Sequence, residues 1–465
     1  MTRSSPSPTG AAAVSASRSG RADSPRILSE LEKLLSEPGC PSCRHVAETE
    51  RSFFSWFEIE SHTSAEMQAQ LRAAMGMCPA HTRRLIESLG EGHVMTIVMR
   101  EALAGARAGL RSESHDGPCP ACDSVAFGAR HARTLLLEGL HEPRLARLYA
   151  EHDGVCLTHF LDTLREADPA SLRTLAERLH GSLQNRADAT LIGLLGGSDA
   201  DGPRRAMWRG RLPHLLGAGS TIKGLDERLQ IDACPVCFMA GIAERDYLQW
   251  LLAQSADDDP SLETDPGELC PTHLHDAVLA NAATAGRRAL ERKRANRMVQ
   301  LERFLARLAQ TPAPERRRRR STPDDGIRGE LMARPHCTAC HAREGVERAQ
   351  RDLVFTSLGL AGVRSRYEHG HGLCVRHAQQ IPDGPATRVI RQHADARLAL
   401  IAWEVHETAR KYAWAFRHEP GGPERDGWLR GLGQIDGRVF AGGPAPVGEH
   451  NLAFGEDNGA GDGND

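Results

Sequence analysis

The chain has no spare cysteine, no long apolar run, few aromatic residues and almost no surplus of charge, and each shortage removes a class of protein. Without a stretch of about 18 apolar residues it is not expected to cross a membrane. A net charge of −3, from 58 basic and 61 acidic side chains, gives no global attraction for nucleic acid, so such a partner would need a local patch. Aromatics make up 5% of the residues, whereas 45 glycines and 26 prolines predict long irregular segments around the packed parts. The segment from Met1 to Arg26 lacks the apolar core of a secretory signal. It is rich in Ser, Ala and Arg, with Asp23 as its first acid, a weak transit-peptide character in what reads as a disordered tail. With no export route visible, the thiols are expected to stay reduced, in the cytoplasm, and to act as ligands. GxSxG, P-loop, HExxH and GxGxxG-after-strand patterns are absent, so no catalytic constellation is visible and an enzyme is not expected.

What is present is one pattern, repeated four times. A CxxC pair is followed by a CxxH pair at Cys40, Cys43, Cys78 and His81, and again at Cys119, Cys122, Cys156 and His159. It recurs at Cys234, Cys237, Cys270 and His273, and at Cys337, Cys340, Cys374 and His377. The second and third cysteines of each unit are 35, 34, 33 and 34 residues apart, and all 12 cysteines of the chain fall inside the pattern. Three thiols and one imidazole are the donors of a closed tetrahedral Zn²⁺ site, so about four zinc ions per chain are expected. Most iron–sulfur clusters want four cysteines, which places zinc ahead of iron. Because each set holds four protein donors, no coordination position remains for a substrate water, and the zinc is expected to be structural. The spacing leaves open whether each CxxC closes with the CxxH of its own unit or of another.

Proline between the paired ligands, in CPSC, CPAH, CPAC, CPVC and CPTH, fits a first helical turn. The ligands are therefore predicted at helix N-termini, where the backbone dipole favours thiolate. Cys337-Thr-Ala-Cys340-His341 also spells the haem-attachment string, but both cysteines belong to the repeat and His341 has no counterpart in the other units. His341 could compete with His377 as a ligand, and His369 and His371 read as at most a spare metal contact.

Apolar residues recur at three and four positions between the ligand pairs, which predicts helices and an all-α fold of four tandem modules, each clamped by a Cys3His zinc site. The reading places a disordered tail at 1–24, modules at 25–112 and 113–196, a linker at 197–222 and a third module at 223–310. A basic linker at 311–326, a fourth module at 327–418 and a disordered Gly-rich, acidic tail at 419–465 complete it, with Trp428, Leu429 and Phe440 as isolated apolar points able to dock. Thirteen residues after the second cysteine stands a large apolar residue, Trp56, Leu135, Trp250 or Leu353, followed by Phe57, Leu136, Leu251 or Val354. Eight residues after it stands arginine, Arg51, Arg130, Arg245 or Arg348, preceded by Glu50, Glu244 and Glu347 in three units and by Ala129 in the second. The arginines read as helix-surface ion pairs rather than donors to the thiolates.

The string GCPSC…GMCPAH, with an acid, an arginine and aromatics between, resembles a group of mainly bacterial helical proteins built on CxxC…CxxH units and lacking an assigned activity. The resemblance covers the four units; this chain has Thr338 and Val375 where the proline usually stands. It implies metal and is silent on activity. The expected function is a non-enzymatic scaffold or regulator that binds another protein. Two alternatives are a thiol-based redox or metal sensor and a nucleic-acid-binding regulator. The latter would act through Arg287, Arg288, Arg292, Lys293, Arg294 and Arg297 and the run Arg316 to Arg320.

Overall fold

Cysteine and proline start the helices of this chain, and glycine turns separate them. The computed structural model describes residues 24–89, 92–111, 117–185, 194–195, 225–226, 228–254, 269–270, 273–274, 285–310 and 337–437. The first half contains α1 (Ser24–Leu35), α2 (Pro41–Ile59), α3 (Ala65–Ala73), α4 (Pro79–Leu89), α5 (His93–Arg111), α6 (Pro120–Gly139), α7 (Pro143–Glu151), α8 (Leu157–Thr163) and α9 (Pro169–Asn185). The second contains α10 (Pro235–Gln254), α11 (Ala285–Gln310), α12 (Thr338–Ser357), α13 (Ala361–His369), α14 (Val375–Gln379), α15 (Pro385–Tyr412) and α16 (Gly427–Asp436). Among the described residues there is no strand, and the all-α expectation holds.

The units are joined in two different ways. Their CxxC helices pair first with second and third with fourth, α2 on α6 and α10 on α12. The first of these pairs is tight, since a Cβ on Gly128 of α6 would stand 2.5 Å from the Thr49 hydroxyl of α2. Their closing helices pair first with fourth and second with third, α5 on α15 and α9 on α11. The four units thus close a cycle, and two apolar cores follow from it. One joins Phe57, Leu71, Leu85 and Leu103 of the first unit to Val354, Tyr367, Leu398 and Ile401 of the fourth. The other joins Leu136, Phe160, Leu175 and Leu179 of the second to Leu251, Leu290, Leu301 and Phe304 of the third.

Apolar position is therefore only half the rule for the CxxC helices. Phe57, Leu136, Leu251 and Val354, one residue beyond the expected knob, are all buried, whereas Trp56 and Trp250 face solvent.

The chain beyond 419 differs from the expected tail. Trp428, Leu432 and Ile435 lie on one face of α16 and are buried, and Leu429 packs beside them. Glycines 427, 431 and 433 hide this helix from propensity reasoning. Packing explains two of them, because a Cβ on Gly431 would come within 2.7 Å of Met99 on α5 and one on Gly427 within 2.9 Å of the Glu404 Cβ on α15. Phe440, the 197–222 linker and the run Arg316 to Arg320 lie outside the described residues.

Candidate metal centres

Four groups, each of three cysteines and one histidine, converge, but not by unit. Cys40 and Cys43 meet Cys156 and His159, and Cys119 and Cys122 meet Cys78 and His81. In the second half Cys234 and Cys237 meet Cys374 and His377, and Cys337 and Cys340 meet Cys270 and His273. Every CxxC closes with the CxxH of its partner unit, so the two units of a half exchange ligands reciprocally. The pairing that the spacing left open is thus across units, and the 16 residues are those the sequence singled out.

Helix geometry explains the exchange. In the first unit His81 lies against Glu50 at 3.4 Å and beside the Phe54 ring, both in the middle of α2. Glu50 is seven residues beyond Cys43, about 10 Å along a helix that rises ~1.5 Å per residue. The return segment α3 has 9 residues against the 19 of α2, so the chain comes back only part of the way. The CxxH pair is delivered to the middle of its own CxxC helix, where the antiparallel partner helix begins.

Seven of the eight ligand pairs sit at the start of a described helix. Cys40, Cys119, Cys156, Cys337 and Cys374 are N-cap residues, with Pro41 and Pro120 in the first turn of their helices. Thr338 and Val375 take the same place without proline, and their caps form alike. Before three of the CxxH pairs the chain turns on Gly76, Gly154 and Gly372, whose φ of 99°, 80° and 70° favours glycine. The residues after the last two, Val155 and Leu373, donate their N–H to the buried Tyr149 and Tyr367 hydroxyls at 3.1 Å.

The donor atoms are spaced for one tetrahedral ion. Sulfur–sulfur distances across the unit boundary are 3.6, 3.6, 3.7 and 3.9 Å. Every histidine turns Nδ1 to the sulfurs, at 3.1–3.6 Å. Bonds of about 2.3 Å to sulfur and 2.0–2.1 Å to nitrogen give tetrahedral edges of about 3.8 and 3.6 Å. All twelve cysteines are free, and these separations are far beyond the ~2.05 Å of a disulfide.

Beyond the sulfurs lies a feature the spacing did not reveal. The ring nitrogen opposite the sulfurs, Nε2, faces Glu244 at 2.6 Å in His273, Glu50 at 3.4 Å in His81 and Glu347 at 3.9 Å in His377. The acid seven residues after the second cysteine thus lies behind the histidine of its own unit, and at His273 it hydrogen-bonds the ring. Arg343 clasps both Glu244 and Glu347, at 3.1 and 3.0 Å. The second unit carries Ala129 at this place, so its His159 lacks the carboxylate its three counterparts have. The signal was legible as three acids and one alanine at one repeat position. Two of the neighbouring arginines form the expected ion pairs, Arg51 with Glu48 and Arg245 with Asp246, while Arg130 and Arg348 are exposed.

The electrostatics of the ion-free sets follow from crowding sulfurs around one imidazole. Burial pulls His81 and His377 down, but sulfur hydrogen bonds and the carboxylates raise both to about 11. Burial likewise opposes, and Cys337 and Glu244 more than offset it, at His273, raised to about 9. Hydrogen bonds from neighbouring cysteines hold Cys43, Cys78 and Cys337 low, the last at about 3. In these sets a sulfur that favours the thiolate faces an imidazole that favours its protonated form.

The C-terminal helix covers the set of Cys234, Cys237, Cys374 and His377. A Cβ on Gly437, the left-handed cap of α16, would stand 2.2 Å from the Cys237 sulfur and 2.8 Å from that of Cys374. Gln434, fully buried, donates its amide to the Leu373 carbonyl at 2.9 Å. Other sequence candidates stay outside the sets. His341 is exposed, His369 is bound to the Ser365 carbonyl, and His371 is buried against the Gly372 carbonyl. On α11, Lys293 and Arg297 are buried, with Lys293 donating to the Leu269 carbonyl, and Arg294 is held by Glu291 and the Gln184 carbonyl. Of that basic helix Arg292 is exposed; the side chains of Arg287 and Arg288 lie outside the described residues.

Among the described residues no helix is long and apolar enough to cross a membrane. No family model, no curated protein and no solved structure matches this chain.

Proposed function

We propose that this chain is a non-enzymatic scaffold of the reducing cytoplasm, stapled by four structural zinc ions, whose work is to bind another protein. Zinc suits the donor set: three thiolates and one imidazole at tetrahedral spacing, with carboxylates behind three of the four imidazoles, are a closed site. Closed sites leave no position for substrate or water, so they contribute folding energy, on the order of 10 kcal/mol each, rather than chemistry. Reciprocal exchange makes each ion a bolt between two units.

The observation that carries a protein partner is where the aromatics are. In a chain with six tryptophans, Trp56, Trp250, Trp403 and Trp414 are exposed, Trp403 at 61% and Trp414 at 75%. Exposed tryptophan is enriched at the energetic centres of protein interfaces, and Tyr412 and Phe416 add to the group at the end of α15. Cross-linking and co-purification from the native host test this. Trp403→Ala with Trp414→Ala should keep about four zinc ions and full helicity yet lose the partner that wild type retains. A partner captured equally by both proteins, two or fewer zinc ions, or an iron chromophore would defeat the reading.

One observation favours a second reading, a thiol-based sensor. The set of Cys40, Cys43, Cys156 and His159 alone lacks the carboxylate behind its histidine, so it should surrender its zinc to mild peroxide before the others.

A further inference from the structure

A fifth group of donors stands on the same frame and is built differently. Glu30 of α1, His45 of α2 and His131 of α6 bring one ligand atom each to within 4.8 Å of one another. Glu30 and His131 are already 3.4 Å apart, and the two imidazole rings lie 5.3 Å apart between centroids, tilted by 48°. An ion bonded at about 2.0–2.2 Å needs donor separations of roughly 3.0–3.4 Å. The first pair has that spacing, and the His45 donor lies within 4.8 Å of both.

The frame makes this juxtaposition more than a surface coincidence. Gly128 lets α6 touch α2 at Thr49, one turn from both His45 and His131, so the close crossing itself sets the two rings side by side. Each of the two helices is held at its N-terminus by a Cys3His set. His45 is half-buried, and among the described residues its ring makes no hydrogen bond. The exposed Phe127 ring stacks on His131 with 7° between planes, restricting its orientation.

We propose that Glu30, His45 and His131 form a fifth metal site, open where the other four are closed, for a divalent first-row transition ion such as Co²⁺, Ni²⁺ or Zn²⁺. Two imidazoles and one carboxylate are a nitrogen–oxygen donor set for this class, and three protein ligands leave coordination positions for water or an exchangeable ligand. The second half has Met239 and Ala349 where His45 and His131 stand after their cysteines, so the site belongs to one half only. The inference needs the four closed sets only as the pins of α2 and α6, whatever the chain binds elsewhere.

The test is a titration of Co²⁺ into the full chain after its four closed sets are saturated with zinc. One further equivalent should bind, with visible d–d absorption and no thiolate-to-cobalt charge transfer. His131→Ala should abolish that equivalent and Glu30→Gln should weaken it, with zinc content and helicity unchanged; His45→Asn provides an independent loss should His131→Ala fold poorly. No fifth equivalent in wild type, undiminished binding in these variants, or a charge-transfer band showing exchange into the cysteine sets would each overturn the proposal.

Discussion

His273 presents Nδ1 to the sulfurs of Cys270, Cys337 and Cys340 and Nε2 to Glu244 at 2.6 Å, so a single ring connects a metal set to the CxxC helix of its own unit. A carboxylate behind a ligating histidine fixes its tautomer and raises its basicity, and loss of such a group costs roughly 10- to 100-fold in metal affinity. Glu244→Gln should therefore shed metal from this one set to a competing chelator at a concentration lower by about that factor. In wild type the set containing His159, with Ala129 in place of the acid, should be first to empty. Chelator titration read by native mass spectrometry, with the emptied set located by cysteine alkylation, checks both.

Reciprocal exchange predicts where damage travels. Cys270→Ser opens the set that also holds Cys337 and Cys340, so those two thiols in the fourth unit should become reactive to alkylation. Cys234 and Cys237, in the same unit as the substituted residue, should stay protected by Cys374 and His377. Metal content should fall from about four ions to three. Reactivity appearing instead at Cys234 and Cys237 would mean that the sites close within units.

The ligands were legible because a metal site needs particular atoms at fixed spacing, and a sequence shows both. Their pairing was not legible. It depends on the length of the helix between them, and 19 residues out in α2 against 9 back in α3 is a statement about three dimensions. The acid at Glu50, Glu244 and Glu347 was visible as a repeat position, yet its purpose appears only once the histidine is known to arrive at mid-helix. α16 was hidden by its glycines, whose lack of a side chain reads as disorder in sequence and as close packing in the fold.

Proton release should accompany metal binding. In the ion-free set of His273, burial pulls the imidazole down but Cys337 and Glu244 carry it to about 9, above its ordinary value near 6.5. Burial and the Cys337 thiolate raise Cys340 to about 11, Cys270 is also raised, and Cys337 is held at about 3. At neutral pH that set keeps protons on His273, Cys270 and Cys340, all of which a cation must displace. Affinity should thus rise steeply with pH. Stability of the ion-free protein runs the opposite way: the His273 contribution is complete below about 6.5 and disappears as pH rises through about 9. Calorimetry in buffers of different ionisation enthalpy measures the first effect, and thermal unfolding of chelator-treated protein across this range measures the second.

Gly437 tests whether the C-terminal helix seals a site or merely lies near it. Its φ of 68° is a conformation that β-branched residues resist, and a Cβ there would stand 2.2 Å from the Cys237 sulfur. Gly437→Val should push α16 away from the set of Cys234, Cys237, Cys374 and His377, expose its thiolates and cost about one metal ion in four. The set of Cys270, His273, Cys337 and Cys340 should keep its ion, because the atoms nearest a Cβ on Gly437 belong to Cys237 and Cys374. Gly437→Ala separates the two causes. It retains most of the clash with far less side chain to accommodate, so intermediate metal loss points to contact with the sulfur, whereas full metal retention with lowered thermal stability points to backbone strain alone. Four ions and unchanged alkylation in both variants would show that the helix protects nothing.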